Sequence, residues 1–454
     1  MIDGPLIVGA GPVGLAAALL ARARGMPVHV LEQLPSTEPK PGSRAIFLHR
    51  QTIRTLATAS PYLAGRVVEE GLVWAGRATY WAGRQVHHRR HAPVPAELAP
   101  YVSLPQPRVE ALLRETALRA GVTFSWCARA DEVTLLDDSV LVRATDGRQW
   151  RSAFVVAADG AGSTVRRRLG IPMNGVPTNG IRRGGFRRTG VRRDGVRGDG
   201  VREGGDARGD AFVVVDVAGD PDRPLPAERV FHYRHPRAEG RNVLVVPFTG
   251  GYRVDLQCRA DDDPAAFAAD PSAWLRPLLP PGHAGEITWS SHYVFRQAVA
   301  ETFTSGRVLL AGEAAHLFAP FGARGLNSGI ADAAAAVEAI ASIASIAQAG
   351  LVRPGDERPG AALSTEPPGA ALGTDGSGAV LGALAGYDRV RRAAAERNRV
   401  AAGKALAHLT AAGPHRRATQ RAAALAARIL PRAGAWLDRK PFGPRDAGIP
   451  GSLY

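Results

Sequence analysis

The run Gly9-Ala10-Gly11-Pro12-Val13-Gly14 limits what this chain can fold into more than any other stretch. The residues from Pro5 read as a short buried strand entering a tight turn. Leu15 to Arg24 continue as an Ala/Leu-rich helix that Gly25 stops, and Pro27 to Glu32 form a second strand. Within that βαβ unit each glycine has a separate task. Gly9 permits the turn, Gly11 lets backbone approach a pyrophosphate, and Gly14 allows close helix–strand packing, while the helix N-terminus faces the phosphates. Glu32, eighteen residues past Gly14, ends the second strand, where a carboxylate can accept ribose hydroxyls. The motif alone does not separate FAD from NAD. The apolar run Leu6 to Ala21 could pass for a membrane anchor, but Gly9, Gly11, Pro12 and Gly14 break it and Arg22 and Arg24 close it. A buried strand and helix are expected there, and no other run reads as long enough to span a bilayer.

Two later stretches repeat the pattern of a buried strand delivering small residues and an acid. Val155 to Ala157 lead to Asp159-Gly160-Ala161-Gly162-Ser163-Thr164-Val165-Arg166. Gly306 to Ala311 lead to Gly312-Glu313-Ala314-Ala315-His316, then Pro320-Phe321-Gly322-Ala323-Arg324-Gly325-Leu326-Asn327 and Asp332. The second glycine turn opens a helix whose unpaired N–H groups suit an anionic or electron-rich ring edge.

Between these motifs the pattern changes. Gly71 to His88 reads as a β-hairpin turning at Ala82-Gly83-Arg84, and Arg108 to Ala120 as an amphipathic helix. Asp131–Ala144 and Trp150–Ala157 look like strands. Strand-like runs at Ala211–Val217, Arg229–Tyr233, Asn242–Pro247 and Tyr252–Arg259 suggest an antiparallel sheet distinct from the nucleotide-binding unit. Helices are expected at about Ala383–Ala411 and Arg416–Leu430. The predicted fold class is α/β: a Rossmann-like dinucleotide-binding domain, an interleaved antiparallel-sheet substrate domain and C-terminal helices. The expected division assigns 1–70, 105–180 and 300–345 to the first, 71–104 and 210–299 to the second, and 383–454 to the third. Residues 181–209 read as a flexible Arg/Gly insertion, and 346–382 as a linker.

The net charge of +15 would by itself suggest nucleic acid or acidic ligands. Much of it is local, because the degenerate five-residue repeat between Ile181 and Gly209 carries nine arginines against four acids. No nucleic-acid or membrane partner is expected. Cys127 and Cys258 are the only thiols and have no pairing pattern, which disfavours a disulfide scaffold or metal site and suits a cytoplasmic protein.

The three motifs, in this order and spacing, resemble the FAD-dependent aromatic hydroxylases, the para-hydroxybenzoate hydroxylase-like flavoprotein monooxygenases, with phenol, phenylpropionate and polyketide hydroxylases as nearer kin. The resemblance covers about residues 5–340 and is supported by Gly42-Ser43-Arg44-Ala45 with Gln51, and by Leu104-Pro105-Gln106 with Glu110. It implies noncovalent FAD and NADH or NADPH as co-substrate. It also implies O₂, a small aromatic substrate, and a monomer or homodimer. Carried over by position, Gly9, Gly11, Pro12, Val13 and Gly14 would serve the pyrophosphate, Glu32 with Gln33 the adenosine, and Arg44 and Gln106 the phosphate and ribityl region. Asp159 and Gly160 match the family's Asp-Gly motif. Glu313 replaces the usual Asp at the ribityl chain, and Gly322, Gly325, Leu326 and Asn327 match the loop beside the flavin ring. Pro320 and Arg44 are the residues expected nearest the chemistry. Tyr233, Arg253 and Tyr293 are candidate substrate contacts on the sheet, and His316 reads as a structural residue of its loop. Two rival readings stand beside this one. One is another FAD oxidoreductase on the same fold, such as a reductase, epoxidase or halogenase, although no two of the seven tryptophans stand two apart as a halogenase pattern requires. The other is a non-catalytic basic nucleotide-binding protein.

Overall fold

The computed structural model describes residues 2–35, 45–93, 99–176, 211–279, 286–348, 376–411 and 413–442. Arg44 and the repeat 181–209 lie outside them.

Three fully buried apolar triplets form the centre of a six-stranded sheet: Leu6–Val8, Val155–Ala157 and Val308–Leu310. Strands covered on both faces read as continuous apolar runs, and each large aliphatic buried there contributes about 1.5–3 kcal/mol. The sheet order is Thr304–Ser305, Val308–Leu310, Val155–Ala157, Leu6–Val8, His29–Leu31 and Thr123–Ser125, parallel except at the first edge. Leu6 to Val8 align with both neighbours residue for residue, so the strands' carboxyl ends finish level. Helices Pro12–Arg22 and Arg324–Gln348 pack on the sheet and on each other. Their approach depends on Gly329, where an added Cβ would stand 2.5 Å from Val13 Cγ2. The segment Arg324–Ser345 is, against expectation, long and apolar enough to cross a membrane, but more than half of it is buried. Ala333, Ala336, Val337 and Ile340 of that helix belong to the main core.

The second layer is a seven-stranded sheet ordered Ile287–Val294, Ala211–Ala218, Gly251–Gln257, Arg241–Phe248, Glu228–His235, Gly76–Trp81 and Arg84–Arg90. It is antiparallel apart from Glu228–His235 against Gly76–Trp81. The hairpin joining its last two strands turns through Ala82 and Gly83, both at positive φ (47° and 81°), as a tight turn matched to strand twist requires. One face carries Val213, Val215 and Val217 under the helices Pro264–Ala269 and Pro271–Leu275. The other face carries Phe212, Phe231 and Tyr233, packed against Phe295, Phe321 and the C-terminal helices.

The expected boundaries shift in two places. Tyr101–Pro105, assigned to the substrate part, pairs instead with Ala45–His49 in a separate two-stranded sheet. The expected linker is entered from both ends, since one helix runs to Gln348 and the next begins at Gly376. That helix, Gly376–Leu409, puts Leu384, Tyr387 and Ala395 into the core of the nucleotide-binding part and Ala402, Ala405, Leu406 and Leu409 against the seven-stranded sheet. Further on, Asp438 of the helix Pro431–Arg439 is fully buried between Arg77 (Nε to Oδ2 3.0 Å) and Arg229 (3.2 Å to Oδ1), and Thr79 donates to its Oδ1 at 2.9 Å. A buried carboxylate held by two guanidiniums fixes these helices to the sheet.

Candidate functional site

The level ends of four parallel strands bring the three motifs together, at the carboxyl edge where open α/β sheets bind ligands. Gly9 has φ +104°, and a Cβ there would meet the Ala158 carbonyl oxygen at 2.4 Å. Gly14 is equally constrained, since a Cβ would lie 1.9 Å from the Gly9 oxygen. Gly11 caps the helix and Pro12 begins it, leaving the backbone N–H groups of the first turn aimed past the strand ends.

Glu32 is buried and ties this loop to its own strand. Its Oε2 accepts from Ala10 N at 2.7 Å and its Oε1 from Leu34 N at 3.1 Å. A carboxylate has about four lone-pair positions, so ribose hydroxyls can still be accepted. Gln33 is exposed. A narrow cleft beside Glu32 is lined by Ala10, Leu15, Leu34, Pro35, Glu110, Arg114 and Trp126. Gln106 opens the helix Gln106–Arg119 and donates from Nε2 to Glu110 at 2.7 Å.

Asp159 is half-buried at the next strand end and serves its own turn, accepting from Ser163 Oγ at 2.5 Å and Val165 N at 3.1 Å. Burial pushes its carboxyl above the usual range although both bonds oppose the shift. Gly160 follows with φ +82°. Arg166 reaches across to donate to the Ala314 carbonyl at 3.0 Å, joining the second motif to the third.

In the third motif Gly312 has φ +63° and donates its N–H to Asp332 at 3.1 Å. Glu313 does not end the buried strand as its sequence position suggested. It occupies a 3₁₀ turn after that strand, with an exposed side chain. His316 is fully buried, with Nε2 2.5 Å from Asp332 Oδ2 and its ring stacked on Phe318. Asp332 is also held by Arg391 Nε at 2.7 Å, and its contacts with His316 and Arg391 keep its carboxyl below the usual range against its burial. His316, Asp332 and Arg391 thus form one buried cluster joining the third motif to the helix Gly376–Leu409.

Pro320 is exposed, between the buried residues Ala319 and Phe321. Gly322 and Ala323 then take successive left-handed conformations (φ +79° and +52°), the second of which a side chain disfavours. Gly325 and Leu326 stand half-buried in the first turn of the following helix. Asn327 holds the turn in place. Its Oδ1 accepts from His49 N (2.9 Å) and Thr52 Oγ1 (2.6 Å), and its Nδ2 donates to the carbonyls of Phe47 (3.0 Å) and Ala323 (2.7 Å). Sequence reasoning gave Asn327 no such role and missed its partners His49 and Thr52. Arg391 was missed too; it lies 59 residues beyond Asp332 on another helix, with no local pattern to reveal it.

Tyr233, Arg253 and Tyr293 share one face of the seven-stranded sheet. Tyr293 pairs with Phe212, which pairs with Gln257, and Asn242 donates to Gln257 at 2.7 Å. Tyr233 has to be corrected as a polar ligand, because its hydroxyl lies 2.9 Å from His408 Nε2 and donates to the Leu437 carbonyl at 2.8 Å, and the residue is almost fully buried. Arg253 donates from Nε to Asp255 at 2.7 Å, and burial raises the Asp255 carboxyl despite that pairing. Among the described residues no group of three or more His, Cys, Asp or Glu side chains is placed to hold a metal ion.

Residues 5–182 and 194–353 match the FAD binding domain family. The chain belongs to that family. Its members' cofactor fits the donor set present here: a glycine loop closed to any Cβ, a helix N-terminus for the pyrophosphate, and the buried Glu32 at the end of the second strand. The chain is 28% identical to 6-methylpretetramide 4-monooxygenase of Streptomyces rimosus over 73% of its own length and 54% of that protein's. It is 32% identical to rifampicin monooxygenase of Streptomyces venezuelae over 72% and 62% of the two lengths. It thus spans less than two thirds of the length of these curated relatives. The p-nitrophenol 4-monooxygenase of Pseudomonas putida shares the fold, with a TM-score of 0.67 at 23% identity over 98% of this chain and 99% of that one.

Proposed function

We propose that this FAD-binding chain is a monooxygenase that hydroxylates a phenolic or other aromatic substrate. The overall reaction consumes NADH or NADPH, a proton and O₂, and gives the hydroxylated ring, NAD(P)⁺ and water. The observation that carries the reading is the pairing of the FAD-type strand edge with an aromatic-rich sheet face, where Phe212 and Phe231 pack with Phe295 and Phe321 in one cluster. Bound FAD would supply electron transfer from the nicotinamide and activation of oxygen. The chain's own part is to bind, orient and exclude water. Gly9, Gly11 and the helix from Pro12 would hold the pyrophosphate, Glu32 the ribose, Glu313 and Gln106 the ribityl region, and the turn from Pro320 to Asn327 the flavin ring. Apolar walls at Phe321 and Phe212 would keep water from the reacting ring. Arg253 and Tyr293 would meet polar groups of the substrate, and Arg44 would act on FAD from its loop. The localisation proposed is the cytosol, with no nucleic-acid or membrane partner.

Substrate-stimulated NAD(P)H oxidation over a panel of phenols tests this, with a product heavier by one oxygen as the expected result. Flavin-loaded protein whose NAD(P)H oxidation no phenol stimulates would favour a reductase. A purified protein that takes up no flavin would overturn the reading altogether.

A further inference from the structure

The strand Ala45–His49 runs between the two layers, and its alternation assigns each side chain a direction. Leu48 belongs to the core of the nucleotide-binding part. Phe47 points the other way, packed with Trp74, Tyr101, Leu244 and Val246 of the cluster on the seven-stranded sheet. His49, two residues on, shares the side of Phe47, with ring centroids 5.5 Å apart. Its backbone N–H is already given to Asn327. Its imidazole hydrogen-bonds to the backbone of Gly322, in the turn assigned above to the flavin ring.

That leaves one ring nitrogen. His49 is 5% exposed, and its Nε2 has no hydrogen-bond partner among the described residues. Since Nε2 has no partner, Nδ1 is the nitrogen left to meet the Gly322 backbone, and in that tautomer Nε2 presents a lone pair. Burial and the nearby Arg324 push the imidazole down to about 4, so the ring is neutral and this lone pair persists at working pH. A buried polar atom with no partner is costly, and the site is complete only when a donor is supplied.

We infer that His49 Nε2 is an acceptor for the phenolic O–H of the substrate, orienting the ring between the sheet face and the Pro320–Asn327 turn. This rests on the phenol hydroxylation proposed above. A neutral imidazole accepting that hydrogen bond polarises the hydroxyl without removing its proton in the resting complex. Its bond to Gly322 ties the substrate's orientation to the same turn that holds the cofactor. The alternative donor is an N–H of the flavin itself, and the two sources are separable.

The experiment uses the FAD-loaded protein, with 2-naphthol and resorcinol as probes and 2-methoxynaphthalene as the analogue lacking the donor. Binding is read from the perturbation of the flavin spectrum, and FAD affinity is measured separately. An Asn amide nitrogen occupies the place of a His Nδ1, and a Gln side chain reaches the place of Nε2. His49→Asn should keep the Gly322 bond and lose the acceptor. Its affinity for 2-naphthol should fall ten-fold or more while that for 2-methoxynaphthalene changes less than two-fold. His49→Gln should bring 2-naphthol back to within a few-fold of the parent, and His49→Asn, which keeps the Gly322 bond, should hold FAD within a few-fold of the parent's affinity. Unchanged preference for the phenol in His49→Asn overturns the inference, and so does weakened FAD binding with the preference intact, which would assign the acceptor to the cofactor. A parent protein that binds neither phenol would instead overturn the phenol reading, and this inference with it. Should His49→Asn not fold, ¹⁵N-histidine labelling of the parent decides, with His49 assigned through His49→Gln. The Nε2 resonance should move with 2-naphthol and not with its methyl ether, and equal or absent movement overturns the inference.

Discussion

Replacing Asn327 by Ala tests how the Gly322–Ala323 turn is held. The side chain uses all four of its hydrogen-bonding positions, at 2.6–3.0 Å, on three separate elements. The amide orientation is fixed by its partners, since the His49 N–H and Thr52 hydroxyl must meet an oxygen while two carbonyls must meet the nitrogen. Each net bond is worth about 1 kcal/mol, and a buried donor left unpaired costs about 1–3 kcal/mol, so a loss of roughly 3–4 kcal/mol is expected. If about half of that is felt as freedom of the Gly322–Ala323 turn, FAD binding weakens by roughly ten- to thirty-fold. The assays are urea denaturation with and without FAD, and the FAD dissociation constant from flavin fluorescence. Asn327→Asp should do no better, because an oxygen would then face the carbonyls of Phe47 and Ala323. An Asn327→Ala protein with the parent's urea midpoint and FAD affinity within two-fold would refute the argument.

Other outcomes follow from neighbouring features. Asp438→Ala should cost about 3–5 kcal/mol in denaturant stability, because Arg77 and Arg229 would remain buried without that carboxylate. His49 has a folded-state pKa of about 4 against 6.5, so its contribution is complete above pH 6.5 and is lost as pH falls toward 4. That contribution is about 3 kcal/mol, and His49→Gln should flatten stability against pH across this window. Glu313→Ala should weaken FAD binding several-fold, with part of the activity restored by added FAD, while Glu313→Asp is tolerated; full FAD affinity with no turnover would give Glu313 to the chemical step. Acid precipitation should release all the flavin into the supernatant, and flavin retained in the pellet would mean a covalent link.

The glycine loop and the three strand-end motifs were legible because their constraints are local. Gly9 and Gly14 stand where no Cβ fits, and the apolar triplets stand where both sheet faces are covered. Strands such as Ala211–Ala218 and Gly251–Gln257 were readable for the same reason. The helices Arg50–Ala59 and Pro61–Glu70 went unseen although Ile53 with Leu56, and Leu63 with Val67, stand at helical spacing and Ser60 caps the second. What fixes the site from behind was not legible at all. Asn327 with His49 and Thr52, Asp332 with Arg391, and Asp438 with Arg77 and Arg229 are each joined across dozens to hundreds of residues, and nothing in local spacing announces such partners. Glu313 shows the opposite error. Its position was foreseen, but a 3₁₀ turn after the strand leaves its side chain exposed rather than buried.

The helix Gly376–Leu409 has a consequence for motion. At 1.5 Å per residue its 34 residues reach about 50 Å, far enough for one rigid rod to be bolted to both layers. A rod fastened at two points is a splint: the layers cannot hinge apart unless it bends or pulls free of one anchorage. Ligands must therefore enter and leave through changes in short turns, on the time scale of loops rather than of swinging domains. The same splint makes the far end of the chain indispensable to its beginning, since cutting before Gly376 would unseat Tyr387, whose hydroxyl donates to the Leu310 carbonyl at the end of a strand bearing the nucleotide site.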